Sequence, residues 1–208
     1  MFTNTTNWSA ATTAAPTGPT RLAKRVVDIL RDPDLRKISY TFDKITISPH
    51  DFQAVIHAIE CGQVKVRLAK AQEVDSFTAA YSLPANEIIV RSEAFLDTIS
   101  GKAVAVHEAV HVAKDIRRMT WRTRKGEAAA FCAQAWYLSL KGQRYPMVYY
   151  DPHVFFFYVV SQFRKRIEAG DAVPVASDRE IADSLMYLTQ KGYNTDIDQI
   201  GDGVGEGC

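Results

Sequence analysis

An α+β fold follows from three features of the chain. Short runs that alternate apolar and polar residues, the period of half-buried strands, lie in the first half at 38–42, 45–47, 64–68, 77–81 and 87–91. Longer apolar runs with helix start and stop residues fill the second half, at 103–113, 126–138, 154–167 and 177–188. The 208 residues are 47% hydrophobic and 24% charged, which suits one ordinary core. The expected architecture is a small, mostly antiparallel sheet in the N-terminal half and a mainly helical C-terminal half, forming a single domain over residues 20–193.

Residues 1–19 are dominated by Thr, Ala, Asn, Pro and Ser and close on Pro16, Gly18 and Pro19. They bury too little apolar surface to order themselves and read as a flexible tail. Thr20 is an N-cap for a helix through Leu30, whose apolar residues at 22, 26, 29 and 30 form one stripe. After the strands at 38–42 and 45–47, Ser48 caps a helix with Pro49 at its first position and Gly62 as its stop. Its two histidines, His50 and His57, lack metal spacing and read as structural or surface residues, with His57 also a remote candidate to support a metal ligand. Three short strands follow, the last two separated by the turn Leu83-Pro84-Ala85-Asn86.

The run 103–113 contains His107-Glu108-Ala109-Val110-His111. On a helix, residues four apart share a face with Cβ atoms about 5–6 Å apart. Two imidazoles at 107 and 111 can therefore converge on one ion at roughly 2.0–2.1 Å. Glu108, turned about 100° from His107, falls at the edge of that face, where it can act as general base on an attacking water. A third ligand is Glu127, a single carboxylate at the start of the apolar helical run 126–138. An unpaired buried charge costs several kcal/mol, and a zinc ion held by two histidines compensates it. His107, His111 and Glu127 make a two-histidine, one-glutamate set that leaves one zinc position open.

Over about Asn86 to Leu140 the chain resembles the gluzincin branch of the zincin metallopeptidases, the compact bacterial and phage type. The metzincin branch is excluded, because it would need Gly at 114 and His at 117 where this chain has Lys114 and Arg117. The resemblance implies a zincin-like fold with an active-site helix, one zinc ion per chain and hydrolysis of a peptide or protein substrate with Glu108 as general base. It also implies that the edge strand beside the active-site helix pairs with extended substrate, a role for the Tyr81 or the Ile88 strand. Many gluzincins carry an acidic residue one turn after the ligand Glu, to orient a ligand histidine; here that position is Phe131. Asp115, one turn after His111, and Gln134 are the candidates for that support.

Between the ligand helices, Arg117 to Lys125 holds five cations around Trp121 and reads chiefly as a solvated loop, with binding of an acidic peptide or of nucleic acid as the lesser alternative. Gly142 ends the Glu127 helix. The loop that follows offers Tyr149, Tyr150 and His153 as donors to the oxyanion of a tetrahedral intermediate, His153 being alternatively a further metal ligand. The run 154–167 is a core helix stopped by Gly170. Ser177 and Glu180 form a capping box for a last helix through Leu188, ended by Gly192. Residues 194–208, with glycines at 201, 203, 205 and 207, read as a mobile tail.

A net charge of +1 exerts no general pull on nucleic acid or anionic membrane. No apolar run is long enough to span a bilayer, and 154–160 is far too short. Cys61, Cys132 and Cys208 form neither a ligand pair nor a disulfide framework. With no classical secretory signal at the start, a cytoplasmic location is expected. Two other functions fit the same residues: a non-catalytic zinc-binding or protein-interaction module on a zincin scaffold, and a metal-dependent hydrolase of a non-peptide substrate.

Overall fold

The computed structural model describes residues 19–73, 79–143, 152–193 and 197–204, with the side chains of 152–154 outside that description. Within them the chain is α+β, with six α-helices and seven short strands. Helix α1 (Arg21–Leu30) is capped by Thr20, whose Oγ1 accepts the Ala23 amide at 3.2 Å. Strands β1 (Tyr40–Phe42) and β2 (Ile45–Ile47) form an antiparallel hairpin. Helix α2 (Pro49–Glu60) begins at Ser48, whose amide is held by Asp51 Oδ2 at 2.8 Å.

Three strands then form the second sheet: β3 (Lys65–Leu68), β4 (Ala79–Ser82) and β5 (Glu87–Val90). Their order is β3-β5-β4, with β3 parallel and β4 antiparallel to the central β5. The expectation of one small sheet is thereby corrected to three separate ones. Of the two candidate edge strands, only the Tyr81 strand, β4, is an edge; the Ile88 strand is flanked on both sides.

The helical half begins with α3 (Ile99–Ile116), started by Thr98, whose Oγ1 accepts the Gly101 amide at 2.9 Å. Strand β6 (Thr120–Arg122) leads directly into α4 (Thr123–Leu140). The two long helices pack on each other, and α1, α2 and β4 cover the remaining faces of α3. Small residues make this possible. Ala103, Ala105, Ala109 and Ala113 of α3 and Ala128, Ala129, Ala130 and Ala133 of α4 are all buried, and short side chains permit close helix approach. The β1–β2 hairpin is fastened to α4 by the buried Tyr40 hydroxyl, which donates to the Ala129 carbonyl at 2.6 Å. Helix α5 (Pro152–Glu168) and helix α6 (Asp178–Gln190), with its Ser177–Glu180 capping box, complete the helical layer against α4.

Two further expectations change. The segment 117–125 is no solvated loop, because it holds β6 and the first turn of α4, and Trp121 is only 5% exposed. Its cations are engaged within the chain: Arg117 with Asp51, Arg122 with Asp198, Arg124 with Thr189 and Lys125 with Asp43. The described part of the tail, residues 197–204, is not free either. Strand β7 (Asp198–Ile200) pairs antiparallel with β6, and beyond it the Gly201 amide donates to the Met119 carbonyl at 2.9 Å. A Cβ on Gly201 would lie 2.9 Å from the Asp115 Cα, so that glycine serves a close approach of backbones and not flexibility.

Cys132 is a buried free thiol. No helix among the described residues is long and apolar enough to cross a membrane.

Candidate metal centre

Helices α3 and α4 bring His107, His111 and Glu127 together. The two Nε2 atoms are 3.2 Å apart. Glu127 straddles them, with Oε2 3.3 Å from His107 Nε2 and Oε1 3.3 Å from His111 Nε2. Among the described residues this is the one group of three or more His, Cys, Asp or Glu side chains whose donor atoms could share an ion.

The spacing can be compared with that around a bound ion. Donors bound tetrahedrally to zinc at roughly 2.0–2.1 Å stand about 3.3–3.4 Å from one another. Hence the residues present fit a zinc ion in both chemistry and spacing.

The charges on this cluster are mutually dependent. Burial tends to raise the Glu127 carboxyl, but the adjacent His111 and His107 override it and bring its pKa down to about 2. Burial tends to lower the His107 imidazole, but the Glu127 hydrogen bond and the Glu108 charge raise it. His111 is pushed well down, first by burial and then by the cation of Lys114. Glu108 is 6% exposed and is raised to about 7, mainly by burial and further by the charge of Glu127, while the Tyr81 backbone amide hydrogen-bonds it in opposition.

The surroundings of the imidazoles differ from expectation. Lys114, not Asp115, faces the outer nitrogen of His111, with Nζ 3.0 Å from Nδ1. Asp115 instead accepts the Tyr81 hydroxyl at 2.6 Å and the Gly203 amide at 3.0 Å, linking β4 to the C-terminal segment. Lys114 is fully buried, sits 4.5 Å from the centre of the Trp121 ring and is pushed down to about 7 by burial. Gly126 has no Cβ to obstruct this packing, since one would meet Trp121 Cδ1 at 2.5 Å and Lys114 Nζ at 2.6 Å. On the other side, the Phe131 ring meets His107 edge-on at 4.6 Å and stacks on Phe156 at 5.2 Å. His107 Nδ1 is buried without a hydrogen-bond partner among the described residues, so neither Asp115 nor Gln134 gives it the expected support.

A cavity of about 410 Å³ opens over the cluster. Its walls come from β4 and its turn (Ala79, Ala80, Tyr81, Leu83), from α3 and α4, from Trp121, and from Tyr193 and Gln199. Gln134 lies in this wall, buried, beside the ligand face of α4. Tyr149 and Tyr150 fall outside the described residues; His153 lies in α5, but its side chain does too. Sequence reasoning missed Lys114, Tyr193 and Gln199. Lys114 alone had a local signal, as a single charge within an apolar run.

No family model, curated protein or solved structure matches the chain.

Proposed function

We propose that this protein is a zinc-dependent metallopeptidase of zincin type, with His107, His111 and Glu127 as metal ligands and Glu108 as general base. The observation that carries this reading is the 3.2–3.3 Å triangle of donor atoms with a buried carboxylate of raised pKa beside it, at the floor of an open cavity. A titratable group with pKa near the working pH can both accept and return a proton.

When bound, zinc supplies a Lewis acid for water and for the scissile carbonyl. The chain's own residues do the rest. Glu108 takes a proton from the attacking water and delivers it to the leaving amine. The edge strand β4 flanks the cavity, where an extended peptide can add to it by backbone pairing. Trp121, Phe131 and Tyr193 line the cavity with apolar surface against which a substrate side chain can pack.

The experiment is a peptide-library digest followed by mass spectrometry, on protein loaded with one equivalent of zinc. Cleavage that stops on adding a chelator and returns with zinc is the expected outcome. The partnerless His107 Nδ1 beside Phe131 favours a second reading, a non-catalytic zinc-binding module. Stoichiometric zinc with no product from any peptide would select it over the peptidase.

A further inference from the structure

Resting on the metallopeptidase reading, we propose that Tyr193 is the catalytic hydrogen-bond donor of this site, its phenol stabilising the oxyanion that forms when water adds to the substrate carbonyl. It lines the same cavity as His107, Glu108, His111 and Glu127. Among the described residues its hydroxyl makes no hydrogen bond. The other hydroxyl in the cavity wall is committed, because Tyr81 donates to Asp115 at 2.6 Å. The Trp121 Nε1–H is closed off within the protein.

Tyr193 is also held in place before any substrate arrives. It follows α6 in a helix-ending motif in which Gly192 adopts a left-handed φ of +93°. The Gly192 amide donates to the Thr189 carbonyl and the Tyr193 amide to the Leu188 carbonyl, both at 3.1 Å. This pair of bonds reverses the chain just past the helix and turns Tyr193 towards the cavity. Its ring then rests edge-on against Phe131 at 6.2 Å, the residue that also touches His107. Downstream, the chain is tied again where the Thr123 amide donates to the Ile197 carbonyl at 3.0 Å. A donor fixed in this way costs no reorganisation as the charge develops. Burial, followed by the charges of Glu127 and Glu108, pushes the phenol up to about 12, which keeps it protonated at neutral pH.

The chemistry balances with no further reactant. The water oxygen bonds to the carbonyl carbon, the C=O π pair moves to the carbonyl oxygen, and Glu108 takes the water proton. Tyr193 donates a hydrogen bond to that oxyanion and keeps its own proton. Collapse re-forms the carbonyl, breaks the C–N bond and passes the proton on Glu108 to the amine.

The test compares Tyr193→Phe with the unaltered protein, both loaded with zinc. Phe retains the ring and its contact with Phe131. The variant should keep its zinc content, its unfolding midpoint and its KM, while kcat falls about 10²–10³-fold, as when one oxyanion donor is lost. A readout independent of turnover is calorimetric binding of a phosphinic peptide, whose tetrahedral anion mimics the intermediate; its affinity should fall by a similar factor. Unchanged kcat and phosphinate affinity in Tyr193→Phe overturn the assignment. So does a comparable loss confined to Gln134→Leu or Gln199→Leu, the amide donors in the same wall. If the unaltered protein neither cuts peptides nor binds the phosphinate, the metallopeptidase reading itself fails and the assignment falls with it.

Discussion

On the proposed function, Glu108→Gln should leave the zinc content intact and lower kcat by about 10²–10⁴-fold, the usual contribution of a positioned general base. Gln preserves size and shape, and Glu108 is not one of the three converging ligands, so the metal stays. What is lost is the ability to take the water's proton. The stability change has the opposite sign. Because burial raises the Glu108 pKa to about 7 from the ordinary carboxyl value of 4.5, the folded state is penalised as pH rises through that interval. The favourable contribution of the protonated form is complete below about 4.5 and lost above about 7. The Gln variant should therefore unfold at higher denaturant than the parent at pH 8 and match it near pH 4. A carboxylate retained against stability is what a catalytic role predicts. Undiminished hydrolysis by the Gln variant contradicts that role.

On the same proposal, Lys114→Met should stabilise the metal-free protein and tighten metal binding. Met fills similar space without a charge and avoids the desolvation cost that burial imposes on the ammonium. The pH dependence fixes the sign. Folding depresses the Lys114 pKa from 10.5 to about 7, chiefly through burial. Its stability contribution is complete above pH 10.5 and is lost as pH falls towards 7. The advantage of Met should accordingly be small at pH 10.5, grow to pH 7 and level off below. Metal affinity responds because Nζ lies 3.0 Å from His111 Nδ1. An imidazole that binds through Nε2 carries its hydrogen on Nδ1, and an ammonium there has no lone pair to accept it. Removing the cation also removes its repulsion of a dication, so the metal Kd should fall at least about tenfold, or 1.4 kcal/mol. Urea midpoints at pH 7 and 10.5, with a competitive metal titration, measure both effects. A destabilised variant would instead show that Glu108 and Glu127 depend on Lys114 as their counter-charge.

How much of this was legible in the sequence depended on the range of the interaction. The caps at Thr20, Ser48 and Ser177 are contacts within three residues, and each marks the start of its helix in the structure. The His107–His111 pairing is likewise local, fixed by helix geometry. Glu127 could be singled out because a lone carboxylate in an apolar run needs a partner. Lys114 stood in the same kind of run and the same reasoning would have found it, but which imidazole it faced was decided by the packing of Trp121 over Gly126. Long-range pairings left no local trace. Asp115 reaches across 34 residues to Tyr81, and β7 carries the polar sequence Asp198-Gln199-Ile200, which has no strand-like alternation of its own. Gly201 and Gly203 looked like flexibility because close backbone contact and free rotation call for the same residue.

The most direct test of the central claim is elemental mass spectrometry on the purified protein beside its His107→Ala and Glu127→Ala variants. The donor triangle predicts about one zinc per chain in the parent and little or none in either variant, with all three proteins folded by circular dichroism. No zinc in the parent after incubation with excess metal, or full occupancy in both variants, would contradict the metal centre and the function built on it.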